Sequence, residues 1–347
     1  MQAAIKAIEY HLPDGVLTNA QLAEEHPDWP VEELEAKIGI AERRIAGENE
    51  CSSDLAVKAA EKLFASGACK PEDVDFVLLC TQSPDYFLPT TACLIQHRLG
   101  IPTTAGAMDF NLGCSGFIYG LSLAKGLIET GQASTVLLLM AETYSKFVNP
   151  NDKAVRMIFG DGASATLVRA EPQKAGANGC AIGPFCFGTD GSGAENLIVP
   201  EGGMRRRPNE ASEAVADERG DVRGPKNIYM AGPEIFSFTA AKVPALVRTV
   251  AERASLTMDD IDFVILHQAN HYIVEHLRKK MRIPESKFWN SVRSIGNTVS
   301  STIPIALRQA QEAGRIQPGQ RILLAGFGVG YSWAGAMIRW TVEPNGA

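Results

Sequence analysis

Two spacings of apolar residues organise this chain. Short, nearly unbroken runs of Val, Ile, Leu and Phe recur: FVLLC at 76–80, VLLLMA at 136–141, FVIL at 263–266 and ILLAG at 322–326. Runs of this length and composition predict strands, and their lack of alternation predicts burial on both faces. Between them lie longer stretches with helical spacing, such as GFIYGLSLAKGLIETG at 116–131 and TIPIALRQAQEAG at 302–314. Strands alternating with helices point to α/β units stacked in layers.

The pattern repeats. PEDVDFVLLC (71–80) and MDDIDFVILH (258–267) match at nearly every position, each an acidic turn followed by a strand. GCSGFIYGLSLAKGLIETG (113–131) and GNTVSSTIPIALRQAQEAG (296–314) form a second pair at almost the same offset, each followed by a strand. Two blocks agreeing in order and offset indicate a duplicated chain. The halves are expected at 1–178 and 179–347, the second carrying a polar insertion around 200–225. Gly, Pro and mixed charge there predict a mobile, solvated loop. Under the duplication Cys80 corresponds to His267, and Cys114 to Asn297. If the halves pack about a pseudo-twofold axis, Cys114, His267 and Asn297 meet at one place.

The chain has 347 residues, 45% of them hydrophobic, which suffices for a large core or two fused ones. Its formal net charge of -7 argues against a general nucleic-acid binder. No apolar run approaches the ~18 residues of a membrane span. The opening MQAAIKAIEYHLPDG lacks the layout of a signal peptide, so a cytoplasmic location is expected. The 7 cysteines are scattered without a CxxC pair, which speaks against a disulfide framework. His267 and His271 have the spacing of a helical metal grip, but no HExxH accompanies them and no metal is expected.

Chemistry concentrates at four turns. Cys114, between Gly113 and Gly116, stands where an apolar run ends and a helix begins. Unpaired N–H groups and the helix dipole favour a thiolate there. His267 opens HQAN at a strand end and is aimed out of the sheet. Asn297, in GNT, occupies another turn-to-helix junction. GFGVGYSWAG (326–335) follows the last strand and offers backbone N–H groups to an oxyanion. Taken singly, each residue fits a plain structural role; taken together at duplicated positions, they suggest a site.

In this order, NLGCSGFIYG, FGDGASA (159–165), HQAN, GNT and GFGVGYSWAG resemble the β-ketoacyl-acyl-carrier-protein synthase III group of the thiolase superfamily. The resemblance runs over almost the whole chain. It implies a duplicated, five-layered α/β/α/β/α fold, usually homodimeric, and a Cys114–His267–Asn297 triad needing no cofactor or metal. The cysteine would take an acyl group from a coenzyme A or acyl-carrier-protein thioester. A malonyl thioester on acyl-carrier protein would then lose carbon dioxide and attack the acyl-cysteine. His267 and Asn297 would stabilise the enolate, and the backbone N–H groups of Cys114 and Val329 the tetrahedral intermediates. Leu88, Phe159 and Phe327 would shape the acyl pocket. Leu88 stands where many members have a phenylalanine that crosses the dimer, although Tyr86 or Phe87 could fill the same space. Arg278, Lys279 and Lys280 would dock the acidic carrier protein, or simply form a solvated face.

Several positions depart from the family. Glu33, Lys37 and Lys153 stand where members that use coenzyme A carry Trp, Arg and Arg, which weakens nucleotide recognition. Tyr272 replaces an arginine after HQAN. Gln82 occupies the position of a glutamate base used by some non-decarboxylating relatives, and an amide cannot act as a base. Other readings stay open: acyl transfer to an amine or alcohol, a non-catalytic partner subunit, or a cysteine hydrolase.

Overall fold

The computed structural model describes residues 1–173, 181–209, 211–218 and 220–342. The expected boundary at 178/179 lies outside the described residues. Two sheets form the framework. The first has the strand order Gln2–His11, Gly162–Glu171, Thr135–Glu142, Phe76–Cys80, Gly106–Phe110. The second runs Ile182–Thr189, Ser332–Arg339, Arg321–Gly328, Phe263–Leu266. In both, the first three strands pair antiparallel and the next pairing is parallel. A fifth strand completes the first sheet. Its counterpart is reduced to a single parallel bridge between Val264 and Phe288. The repeated sequence blocks thus fall on equivalent strands.

The layers follow from where apolar side chains must go. Every residue of Thr135–Glu142 is buried, so that strand needs cover on both faces. One face is covered by the outer helices Ser52–Ala65 and Thr91–Arg98, through the cluster containing Leu55, Leu63 and Ile95. The other meets the helix Gly116–Glu129, which touches both sheets. Its buried residues Phe117, Ile118, Leu121, Ala124 and Ile128 recur at helical spacing. Helix Thr302–Glu312 shares this central layer, packing on strands of each sheet. Helices Gly232–Arg253 and His271–Lys280 cover the far side of the second sheet. The result is the expected α/β/α/β/α sandwich.

The insertion is polar as expected but better tethered than a free loop. Val215–Ala216 and Val222–Arg223 pair as a small antiparallel hairpin. Asp221 is buried and faces the Lys153 ammonium at 3.8 Å, while Arg223 approaches Asp152 at 3.5 Å. Arg205, Arg206 and Arg207 remain exposed. Charge pairing with Asp152 and Lys153, together with a backbone bond from the Val222 N–H to the Asn151 carbonyl, ties the hairpin down.

Candidate active site

Cys114, His267 and Asn297 line one cavity of about 240 Å³, together with Phe159 and Phe327. They come from both halves, as the duplication requires. Cys114 precedes the helix Gly116–Glu129 in the central layer. His267 follows the strand Phe263–Leu266, and its backbone N–H still bonds to Ala325 of the neighbouring strand. Asn297 leads through a short 3-10 turn into the helix Thr302–Glu312.

Glycines let the halves touch. A Cβ on Gly328 would lie 2.7 Å from the Cys114 sulfur, and one on Gly326 would lie 2.6 Å from the Cys114 carbonyl oxygen. Any larger residue would force the strand Arg321–Gly328 away from the cysteine. Phe159 forms a parallel bridge with Asn297, tying the FGDG turn to the GNT turn.

The backbone N–H groups of Val329 and of Cys114 itself act on the Cys114 sulfur in the direction that favours its anion. These are the two donors expected to serve an oxyanion. The thiol is nevertheless pushed up to about 12, chiefly by burial, with the Glu142 carboxyl adding to the rise. This corrects the expectation of a thiolate at the helix start. Removing the sulfur from water outweighs the two amide donors, and the resting nucleophile is a thiol.

His267 is fully enclosed, and burial lowers it to about 3. Its ring is therefore neutral at ordinary pH. Nδ1 lies 2.7 Å from the Thr302 hydroxyl, which also reaches the Val299 carbonyl at 3.1 Å. The single Thr302 proton decides the tautomer. When it points to Nδ1, Nε2 carries the hydrogen and becomes a donor. Phe327 stands edge-on to the imidazole, with centroids 5.6 Å apart.

The Asn297 amide is oriented by its backbone. Its Oδ1 accepts from the Val299 N–H at 2.9 Å, and among the described residues the Nδ2 group has no hydrogen-bond partner. Val299 holds φ at 56°, a left-handed conformation unusual for a β-branched residue. Such backbone costs on the order of 1–3 kcal/mol and tends to sit at functional turns.

Behind the triad lies Glu142, buried at the end of its strand. It accepts from Ser300 Oγ at 2.9 Å, the Gln82 backbone N–H at 3.0 Å and Ser83 Oγ at 3.1 Å. Burial raises it to about 8, against these hydrogen bonds. It bolts the first half to the turn after Asn297.

The other expected residues are placed less simply. Phe159 packs against Tyr144 at 5.3 Å. Leu88 is 87% exposed, whereas its neighbours Tyr86 and Phe87 line a second, larger chamber. Arg278 is held in a fork by Glu275 and also donates to the Ile283 carbonyl. Lys280 donates to the Ala240 carbonyl. Among the described residues, Lys279 of this trio makes no hydrogen bond or ion pair. Glu33 and Lys37 are exposed. His271 bonds through Nδ1 to Asn290 and lines a different cavity from His267, so the two rings do not converge.

Sequence reasoning missed Thr302 and Glu142. An acidic residue ending a wholly apolar strand was the available signal for Glu142. Nothing in the sequence distinguished Thr302 from the other hydroxyls of TVSST.

Comparison with known proteins decides the class. The family described as 3-oxoacyl-[acyl-carrier-protein (ACP)] synthase III matches residues 108–191, and its C-terminal domain matches 251–340. A β-ketoacyl-[acyl-carrier-protein] synthase III of Streptomyces coelicolor is 38% identical over 96% of both chains. The chain belongs to the 3-oxoacyl-[acyl-carrier-protein] synthase III family. A synthase III of Caldanaerobacter subterraneus is also 38% identical, over 98% of each chain. A crystal structure of a 3-oxoacyl-(acyl-carrier-protein) synthase III superposes with a TM-score of 0.95 at 54% identity, covering 98% of this chain and 100% of that one. The protein is accordingly a ketosynthase-type acyltransferase with the thiolase fold. These relatives support decarboxylative condensation over the amine or alcohol transfer, silent-partner and hydrolase readings. Among the described residues, no helix is long and apolar enough to cross a membrane.

Proposed function

We propose that Cys114 is the acyl carrier of the reaction and that His267 and Asn297 drive the decarboxylation. The observation carrying this reading is the convergence of a thiol, a neutral imidazole and an oriented amide on one cavity. In the first step the Cys114 sulfur bonds to the acyl carbon and the donor's carbon–sulfur bond breaks. The thiol proton leaves as sulfur attacks and ends on the departing thiol. In the second, malonyl-acyl-carrier protein loses carbon dioxide, and the electron pair moves into an enolate. His267 Nε2–H and Asn297 Nδ2–H stabilise that oxygen without themselves being charged. The enolate carbon then attacks the acyl carbon, and Cys114 leaves and regains a proton. The Val329 and Cys114 N–H groups hold the oxyanion of both tetrahedral intermediates. A neutral His267 suits this role, because a donor is wanted and not a base.

Homodimeric assembly and a cytoplasmic location belong to the same proposal. The exposed Tyr86, Phe87 and Leu88 form an apolar tip suited to a partner copy. Lys279 is the member of the basic trio free to meet an acidic carrier protein. The donor is a thioester of coenzyme A or of carrier protein. The Lys153 ammonium, turned to Asp221, and the exposed Glu33 weigh toward carrier protein. Intact-protein mass spectrometry with both kinds of donor tests the reading. An acyl adduct that vanishes in Cys114→Ala is expected; no adduct from any donor would overturn it.

A further inference from the structure

The second chamber, about 770 Å³, adjoins the nucleophile. Leu197 lines both spaces, and Val329, next in the chain to Gly328 of the catalytic cavity, forms part of the chamber wall. Most of that wall is apolar, including Phe147, Val199 and Ile228. One stretch is not. Gln82 lies against the residue preceding Cys114: a Cβ on Gly113 would sit 2.6 Å from Gln82 Oε1. The amide is clamped in one orientation. The Tyr144 hydroxyl donates to Oε1 at 2.6 Å, and Nε2 donates to Asn111 Oδ1 at 2.9 Å. Among the described residues, the second Gln82 N–H and the Asn111 amide nitrogen have no partner.

A plain hydrocarbon laid along this wall would strip water from those donors and give nothing back. An acyl group with an oxygen on its first few carbons would replace the lost water. Resting on the reading of Cys114 as acyl carrier, we propose that the chamber selects starters oxygenated near the thioester, such as β-hydroxyacyl groups, over plain alkanoyl groups. Gln82 is the specificity-determining residue, and Tyr144 and Asn111 fix its orientation. The chemistry of the first step is unchanged; only the acyl group differs.

The test compares butyryl and 3-hydroxybutyryl thioesters of one carrier, with the rate of Cys114 acylation read by intact-protein mass spectrometry. The native protein is expected to take the hydroxylated group about tenfold faster, the scale of one hydrogen bond kept or lost. Gln82→Leu should bring that ratio to about one or below. Tyr144→Phe, which frees the amide to turn, should lower it part of the way. A ratio of one or less in the native protein overturns this inference while leaving the proposed function intact. Failure of both donors, and of every other acyl thioester, overturns both.

Discussion

The two halves carry the same strand-turn-helix unit and use it for opposite ends. At the close of its strand, the first half has Cys80, whose thiol donates to the Leu112 carbonyl and is sealed beneath Gly116. The second half has His267 at the matching place, lining the cavity. At the next turn the roles reverse in kind: the first half supplies the nucleophile, Cys114, and the second supplies Asn297. The fold fixes where a side chain reaches the centre. Which of two equivalent positions does chemistry depends on which one has an open space beside it.

Mutations can break that comparison. Asn297→Ala removes an enolate donor and should slow carbon dioxide release from malonyl-acyl-carrier protein by ~10²–10³-fold, while Cys114 acylation continues. Cys80→Ala, at the position equivalent to His267, should leave acylation within a few-fold. It should instead cost about 1–3 kcal/mol in a denaturant melt, because a buried carbonyl loses its donor and a small void remains. A collapse of acylation in Cys80→Ala would remove the distinction between the two strand ends.

Thr302→Val tests the tautomer. Shape is nearly kept, but Nδ1 loses its hydroxyl partner. The expected result is a kcat lowered about a hundredfold with KM unchanged, the lower end of what a misplaced proton costs. Equal kcat in the variant would assign Thr302 a packing role only.

Titration sharpens the contrast between a thiol sealed by burial and one activated by its helix. Alkylation of Cys114 by iodoacetamide should rise steadily with pH and reach no plateau below pH 10, in keeping with a thiol near 12. A plateau near neutrality would restore the thiolate expected from the helix start.

The smallest effect concerns Glu142. Its carboxyl is raised to about 8 in the folded protein, above its value in the unfolded chain. The folded state therefore binds the extra proton between the two values. The stability linked to that proton is complete at acid pH and is lost as pH rises toward 8. Glu142→Gln should flatten this part of the melting-temperature profile between pH 5 and 8. An unchanged slope would assign the titration to other groups.

Much of the fold was legible because duplication leaves a record in the sequence. The matched blocks at 71–80 and 258–267 announced equivalent strands, and the Gly-flanked Cys114 and Asn297 announced equivalent turns. The candidate triad was legible for the same reason. What stayed hidden depends on contacts between distant segments. Ser300 and Glu142 meet across the two halves, and no local pattern records it. The RKK run showed charge but not that Glu275 already holds Arg278. The insertion read as solvated because its anchors, Asp152 and Lys153, lie far upstream. The protonation of Cys114 followed from burial, which a motif cannot report.

The central layer has a consequence for how the chain folds. Its core joins Phe117 and Leu121 of one half to Ile303 and Leu307 of the other, with strands from both sheets closing over them. Neither half owns that core. A fragment ending between them would expose it whole. Although built as a tandem repeat, the chain has a single shared central core, and the seam where the chemistry sits is assembled only when both copies have condensed on each other.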